Sequence, residues 1–280
     1  MSTFTDYNSV STNYDYGREA TGAEYYIGAL LTRLEIPLKD IHVLDAGCGT
    51  GNYSKMLLDR GVGKVTLLDG SEGMLAHAKK KCEGRGLAET KHHVLPTLPF
   101  PASSFDCVMF NNVLHHLESP GEELQAPKAL AEAFRVLKPG GLLIIFNLMN
   151  HQFEKGFWFS RFLPAPMQRY KDGLPKTEIY LEALKSIGYD NEQVMVPLNL
   201  LLAPKVYFDE EGPLKQEFRS THSFFSMTSP EELKQIQENL SELKRIGQLK
   251  DYVREMDRER VLVGQSCFFF ATKPQTNSIM

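Results

Sequence analysis

The 280-residue chain is poor in the features that mark several large protein classes. Its four cysteines (Cys48, Cys82, Cys107 and Cys267) are scattered, with no C-x-x-C pair. Thiols spaced this way read as small buried hydrophobes in a reducing compartment, not as a disulfide framework. Long apolar runs are missing: Leu142–Phe146 is far shorter than the roughly 20 residues of a bilayer span. A basic excess is missing too, and the net charge of −4 gives no electrostatic footprint for nucleic acid or anionic membrane. The opening "MSTFTDYNSV" has no charged segment leading into an apolar one, so the expectation is a cytoplasmic protein without a secretory leader. Clusters of carboxylate and histidine with ligand spacing are absent. The neighbours His92–His93 and His115–His116 are expected to point apart on any regular element, so no metal is expected.

What is present is a regular alternation. "IHVLDAG" is an apolar, β-branched run ending at a glycine turn, and "GNYSKMLLDRG" after it has helical character. "KVTLLDG" reads as a second strand, and "SEGMLAHAKKKCEG" as a helix capped by Ser71 and stopped at Gly84. "KHHVLP" is a weaker strand and "FDCVMFNNV" a buried one. The helix "PKALAEAFRVL" then breaks at "LKPGG", before the strand "LLIIFNLM". Alternating strands and helices imply parallel β-α-β units with both sheet faces covered. Ligands of such sheets bind at the carboxyl ends of the strands, which places 45–51, 69–71 and 111–116 along one rim. Further on come an aromatic-rich connection over 151–176, a helix ending at Gly188 and a strand in "EQVMVPLNLLL". Residues 203–228 look irregular. A helix follows, with Ser229 as N-cap and Glu232 completing a capping box, and "SCFFFATK" supplies the last strand.

The glycine loop "DAGCGTGNYS" carries Gly47, Gly49 and Gly51, with Asn52 where a dinucleotide fingerprint would place its third glycine. Asp45 stands before the loop. A carboxylate there disfavours a diphosphate but suits the ammonium of an amino acid. Asp69 ends the second strand, where an acid can accept hydrogen bonds from both ribose hydroxyls. The ligand these residues describe has a nucleoside at one end and a zwitterion at the other.

"VLDAGCGTG", "LLDGSEGML", "LPFPASSFDCVMFNNVLHHL" and "AFRVLKPGGLLII" occur in order over residues 42–146. Together they resemble the successive motifs of class I S-adenosylmethionine-dependent methyltransferases, above all the small-molecule branch of the ubiquinone and menaquinone methyltransferases. The resemblance implies an α/β, Rossmann-like, doubly wound sheet of seven strands, the last antiparallel, with helical and irregular lid insertions. Within one domain, 1–40 would be an N-terminal helical lid and 41–150 the S-adenosylmethionine-binding core. Residues 151–260 would hold the remaining sheet elements and substrate lid, and 261–280 the last strand and tail.

The resemblance also implies S-adenosylmethionine as cofactor, leaving as S-adenosylhomocysteine. Asp45, Gly47 and Gly49 would surround its methionine part and Asp69 its ribose, with Cys48 and Asn52 of the same loop among the contacts. Met74, or Ser71 and Gly70, would lie near the adenine. Where the family often has an acid for the adenine amino group, this chain has Val94, leaving backbone groups, His92, His93 or packing against Leu95 to hold the ring.

Methyl transfer from a sulfonium needs alignment first, and a general base only where the acceptor must lose a proton. In "NNVLHHL", Asn111 offers amide contacts to cofactor or acceptor, and His115 and His116 are the candidate bases. Their alternative is a structural role at a helix start. "NYDYGREATG" resembles the lid segment of related methyltransferases, making Tyr14 and Arg18 lid candidates at the substrate site; the plainer alternative is a surface lead-in. The aromatic stretch containing Trp158 is either satellite core or an apolar cover over the acceptor. Arg219, His222 and Phe225 fall between the last two strands and are further candidate acceptor contacts. The expected partner is a small, partly apolar methyl acceptor, not nucleic acid, bound by a monomer or homodimer. Two alternatives are a nicotinamide-dependent oxidoreductase and a non-catalytic protein that binds S-adenosylmethionine.

Overall fold

The computed structural model describes residues 15, 19–117, 123–162, 164–198, 201–220 and 222–275. The apolar runs become strands because each can be covered on both faces. They are β1 (His42–Ala46), β2 (Lys64–Asp69), β3 (Leu87–His92), β4 (Phe105–Asn111), β5 (Leu137–Asn147), β6 (Asp190–Met195) and β7 (Cys267–Thr272). Among the described residues they form one sheet in the order β3-β2-β1-β4-β5-β7-β6. The pairs from β3 to β5 are parallel, with Val43 opposite both Val65 and Cys107. β7 runs antiparallel to both β5 and β6. This is the seven-stranded, doubly wound sheet with an antiparallel last strand that the motifs imply.

Helices α1 (Ala23–Arg33), α2 (Asn52–Asp59) and α3 (Glu72–Cys82) cover one face, burying Tyr26, Leu30, Leu57 and Ala78 against Val43, Val65 and Ile144. Helices α4 (Ala126–Val136) and α7 (Thr177–Ile187) cover the other, where Leu130, Ala133, Tyr180 and Leu184 meet Val108, Leu143 and Phe269. Each fully buried Leu or Phe is worth about 1.5–3 kcal/mol, so these two layers fix the sheet. A third apolar cluster joins α5 (Asn150–Gly156), α6 (Pro164–Asp172), α8 (Pro230–Arg245) and α9 (Leu249–Val263). Ser229 closes its capping box with Glu232 as expected, and Ser71 caps α3 by accepting from Met74 N–H.

Four sequence expectations shift, one of them the strand expected in "EQVMVPLNLLL", which starts earlier and ends at Met195. "KHHVLP" is mostly the exit from β3, which runs earlier as a half-exposed edge strand, "LAETKH", with no apolar stripe to announce it. The Pro139-Gly140-Gly141 break lies inside β5: Leu137 pairs with Phe105, a register shift follows, and pairing resumes at Leu142–Cys107. Residues 203–228 contain short helical segments at Pro204–Tyr207, Gln216–Ser220 and Ser223–Ser226. Among the described residues no helix is long and apolar enough to cross a membrane.

Candidate active site

The carboxyl ends of β1, β4 and β5 open into a cleft of about 1080 Å³, counted out to its mouth. One half is the glycine loop, with Gly47, Cys48, Gly49, Thr50 and Asn52 on the wall beside Asn111 and Asn112. The other half is built from rings, with Phe153, Phe157, Phe159, Tyr170 and Phe224 facing His115, His116 and His222.

The loop is tight because the sheet pulls its backbone inward. The N–H groups of Gly47 and Cys48 both donate to Leu68 O, at 2.7 and 3.0 Å, and Gly51 N–H donates to Cys48 O. Gly49 N–H donates to Asp69 Oδ2 at 2.8 Å, while Ser71 N–H reaches Asp69 Oδ1 at 2.9 Å. These amides are therefore spent inside the protein and not presented to a phosphate. Gly47 has φ +81°, and a Cβ there would sit 2.4 Å from Val113 Cγ2, so only glycine fits.

Asp45 lies beneath the loop, 1% exposed, and does not line the cleft. Its carboxylate accepts from Ser54 Oγ at 2.6 Å and Asn111 Nδ2 at 3.4 Å. Expected around the methionine part, Asp45 sits under the cleft wall and meets it through the Asn111 amide. Tyr26 OH completes the chain by donating to Asn111 Oδ1 at 2.5 Å. Burial, and then the nearby charge of Asp69, push the Asp45 pKa up to about 7 against the hydrogen bonds that favour its charge. Burial raises Asp69 as well.

Asp69, Gly70, Ser71, Met74 and Leu95 gather around the ends of β2 and β3, outside the lining of the cleft. Met74 is 1% exposed and Leu95 packs on the core. His92 Nε2 is within hydrogen-bond distance, 3.0 Å, of Gly70 O, and His93 Nε2 pairs with Thr97 Oγ1 at 2.8 Å.

His115 and His116 sit on a single 3₁₀ turn, Leu114–His116, directly after β4. Their rings do not point apart: the centroids are 3.9 Å from each other at 43°, because the tight turn keeps both on the cleft side. His115 is 6% exposed, and its Nδ1 lies 2.9 Å from Oδ1 of the fully buried Asn147.

Of the acceptor candidates among the described residues, only His222 lines the cleft, stacked on Phe218 at 4.1 Å. Trp158 is a core residue, 1% exposed, its indole N–H donating to Tyr207 O at 2.7 Å. Arg219 donates to Pro213 O at 2.9 Å, and Phe225 packs against Phe159 while its neighbour Phe224 takes the wall. The helical turns at 216–226 aim Arg219 and Phe225 away from the cleft wall. Tyr14 and Arg18 lie outside the described residues. Asp15, between them, accepts from Thr50 Oγ1 at 2.5 Å, Asn52 Nδ2 at 3.0 Å and Lys81 Nζ at 2.6 Å, tying the N-terminal segment to the glycine loop. Asp15 and Asn147 were not legible as site residues, since each acquires its place through contacts distant in sequence.

Residues 44–145 match the methyltransferase domain family. A demethylmenaquinone methyltransferase of Clavibacter sepedonicus is 33% identical over 141 residues, half of this chain and 55% of that protein. A ubiquinone/menaquinone biosynthesis C-methyltransferase of Serratia proteamaculans is 28% identical over 205 residues, 67% of this chain and 73% of that one. The chain spans about half the length of the first curated relatives it matches. Among solved structures, a protein described as a methyltransferase from an antibiotic biosynthesis pathway of Anabaena variabilis shares the fold. Its TM-score is 0.67 at 20% identity, over 89% of this chain and 97% of that one. The phosphoethanolamine N-methyltransferase 2 of Haemonchus contortus, solved with S-adenosyl-L-methionine, gives a TM-score of 0.55 at 19% identity, over 96% of this chain and 57% of that one. The four ordered motifs, the sheet order and these matches agree: residues 44–145 carry a methyltransferase domain, in a chain similar to the class I S-adenosylmethionine-dependent methyltransferases.

Proposed function

We propose that the protein transfers a methyl group from S-adenosylmethionine to a small, partly apolar acceptor held in the ring-lined half of the cleft. The observation that carries this reading is the glycine loop, whose amides turn inward above the buried carboxylate of Asp45 and the half-buried one of Asp69. That environment repels a pyrophosphate and suits a zwitterion with a cationic sulfonium. Gly47, Cys48, Gly49, Asn52 and Asn111 would hold the methionine part, and Asp69 the ribose through the lone pairs its backbone partners leave. Gly70, Ser71, Met74 and Leu95 surround the adenine end. When bound, S-adenosylmethionine supplies a methyl group on a good leaving group.

The protein's own contribution is placement. The rings of Phe153, Phe157, Phe159, Tyr170 and Phe224 exclude water and hold an apolar acceptor against the loop. The named quinone-pathway relatives support an acceptor with a ring and an apolar body.

The test compares thermal stabilisation by S-adenosylhomocysteine and by NAD. A ligand at 100 times its Kd adds about 2.7 kcal/mol, a rise on the order of 5 °C or more for a chain of this size. S-adenosylhomocysteine should produce that rise and NAD none; stabilisation by NAD alone sinks the proposal. Labelled S-adenosylmethionine presented with an acceptor library then reads transfer. Binding without transfer to any member would favour the non-catalytic alternative.

A further inference from the structure

Asn147 ends β5 and is completely buried in an otherwise apolar strand. A buried amide must earn its place through hydrogen bonds, since leaving one unmade costs about 1–3 kcal/mol. Its Nδ2 donates to Leu148 O at 2.8 Å, which fixes the amide's orientation and turns Oδ1 toward His115. Oδ1 lies 2.9 Å from His115 Nδ1, and an amide oxygen only accepts. The proton of a neutral His115 ring therefore sits on Nδ1, and the lone pair sits on Nε2. His116 packs its ring on the same imidazole, and both rings border the cleft between Asn111 and the aromatic wall.

We propose that Asn147 is a positioning residue that holds His115 as the Nδ1–H tautomer, so that Nε2 takes the proton from an acceptor that must lose one. This rests on the methyltransferase reading of the cleft. As the methyl group takes the proton's place on the acceptor, the proton passes to Nε2. The ring becomes cationic, and Nδ1–H continues to donate to Asn147 Oδ1. Asn147 touches neither cofactor nor acceptor; it acts through the ring. The device selects acceptors bearing an acidic hydrogen, such as a hydroxyl on a ring, over those that need only a lone pair.

The experiment is histidine-selective ¹⁵N NMR of the full chain at pH 8, with His115 assigned by the signal lost in His115→Gln. The expected spectrum has a protonated Nδ1 and an unprotonated Nε2. Asn147→Leu keeps the side chain's size but removes the acceptor, and the Nε2–H form should then rise to half the population or more. Asn147→Asp restores an acceptor, so it should keep Nδ1–H and raise the His115 titration midpoint by about one pH unit or more. Wild-type protein with its proton on Nε2, or an Asn147→Leu spectrum identical to wild type, overturns the proposal. Should Asn147→Leu fail to fold, the wild-type and Asn147→Asp spectra decide. S-adenosylhomocysteine stabilisation is measured on the same samples. Its absence in wild type with the stated tautomer present would defeat the methyltransferase reading while leaving the Asn147–His115 pairing intact.

Discussion

Asp45 and Gly47 stand two residues apart and fail differently when changed. The native pKa of Asp45, about 7, lies above the ordinary carboxylate value near 4, so the folded state prefers the neutral acid. That contribution to stability is complete below about pH 4 and is lost as pH rises through about 7. Relative to Asp45→Asn, the wild-type protein without ligand should lose stability between pH 5 and pH 8, by on the order of 3 kcal/mol at most. Urea unfolding of both proteins at the two pH values measures it; a difference independent of pH refutes the assignment. A bound cation changes the sign of the local cost, so affinity for S-adenosylmethionine should increase over the same interval. Gly47→Ala brings a Cβ against Val113 at a backbone angle that L-residues avoid. The expected loss is about 1–3 kcal/mol, with S-adenosylhomocysteine stabilisation abolished. Retained stabilisation in a folded Gly47→Ala protein would show that the loop is not the cofactor's seat.

Elements hold the site through single polar contacts laid over apolar layers. α1 is packed by Tyr26 and Leu30, and Tyr26 OH links it to the cleft at Asn111. Tyr26→Phe keeps the ring and should cost about 1 kcal/mol, with a further loss in cofactor affinity as the Asn111 amide is freed to turn. Chemical denaturation and a titration with S-adenosylhomocysteine separate the two effects. In α8 the capping box of Ser229 and Glu232 is local, and Ser229→Ala should lower stability by about 1 kcal/mol while leaving cofactor binding unchanged. Weakened binding would mean that α8 reaches further into the cleft than its contacts indicate.

The strands β1, β2, β4 and β7 and both serine caps could be read from the sequence because their signals are local: apolar runs, a glycine turn, a capping residue. β3 could not, since an edge strand with half its side chains in water needs no hydrophobic pattern. The glycine loop was legible for the same local reason. Asn147, Asp15 and the choice of Phe224 over Phe225 were not, since a partner 32 or 35 residues away or a single helical turn decides each.

At the scale of the molecule, the two halves of the cleft come from different parts of the chain. The loop side comes from residues 47–53, and much of the ring side from residues 148–224. They are joined by β7, which lies between β5 and β6 and brings Phe268 and Phe269 into the two main layers. A chain ending at residue 266 would lose these contacts and leave β5 and β6 with unpaired edges. It should be recovered largely as aggregate, and a soluble, S-adenosylhomocysteine-binding fragment of that length would argue against β7 as the joint. The position of β7 also sets an order of assembly. During synthesis the strands from β1 to β5 can pair with neighbours already made, but β6 emerges about 75 residues before its partner. For that interval the nascent protein carries a half-built sheet with an open aromatic flank, the stage at which a chaperone has most to cover.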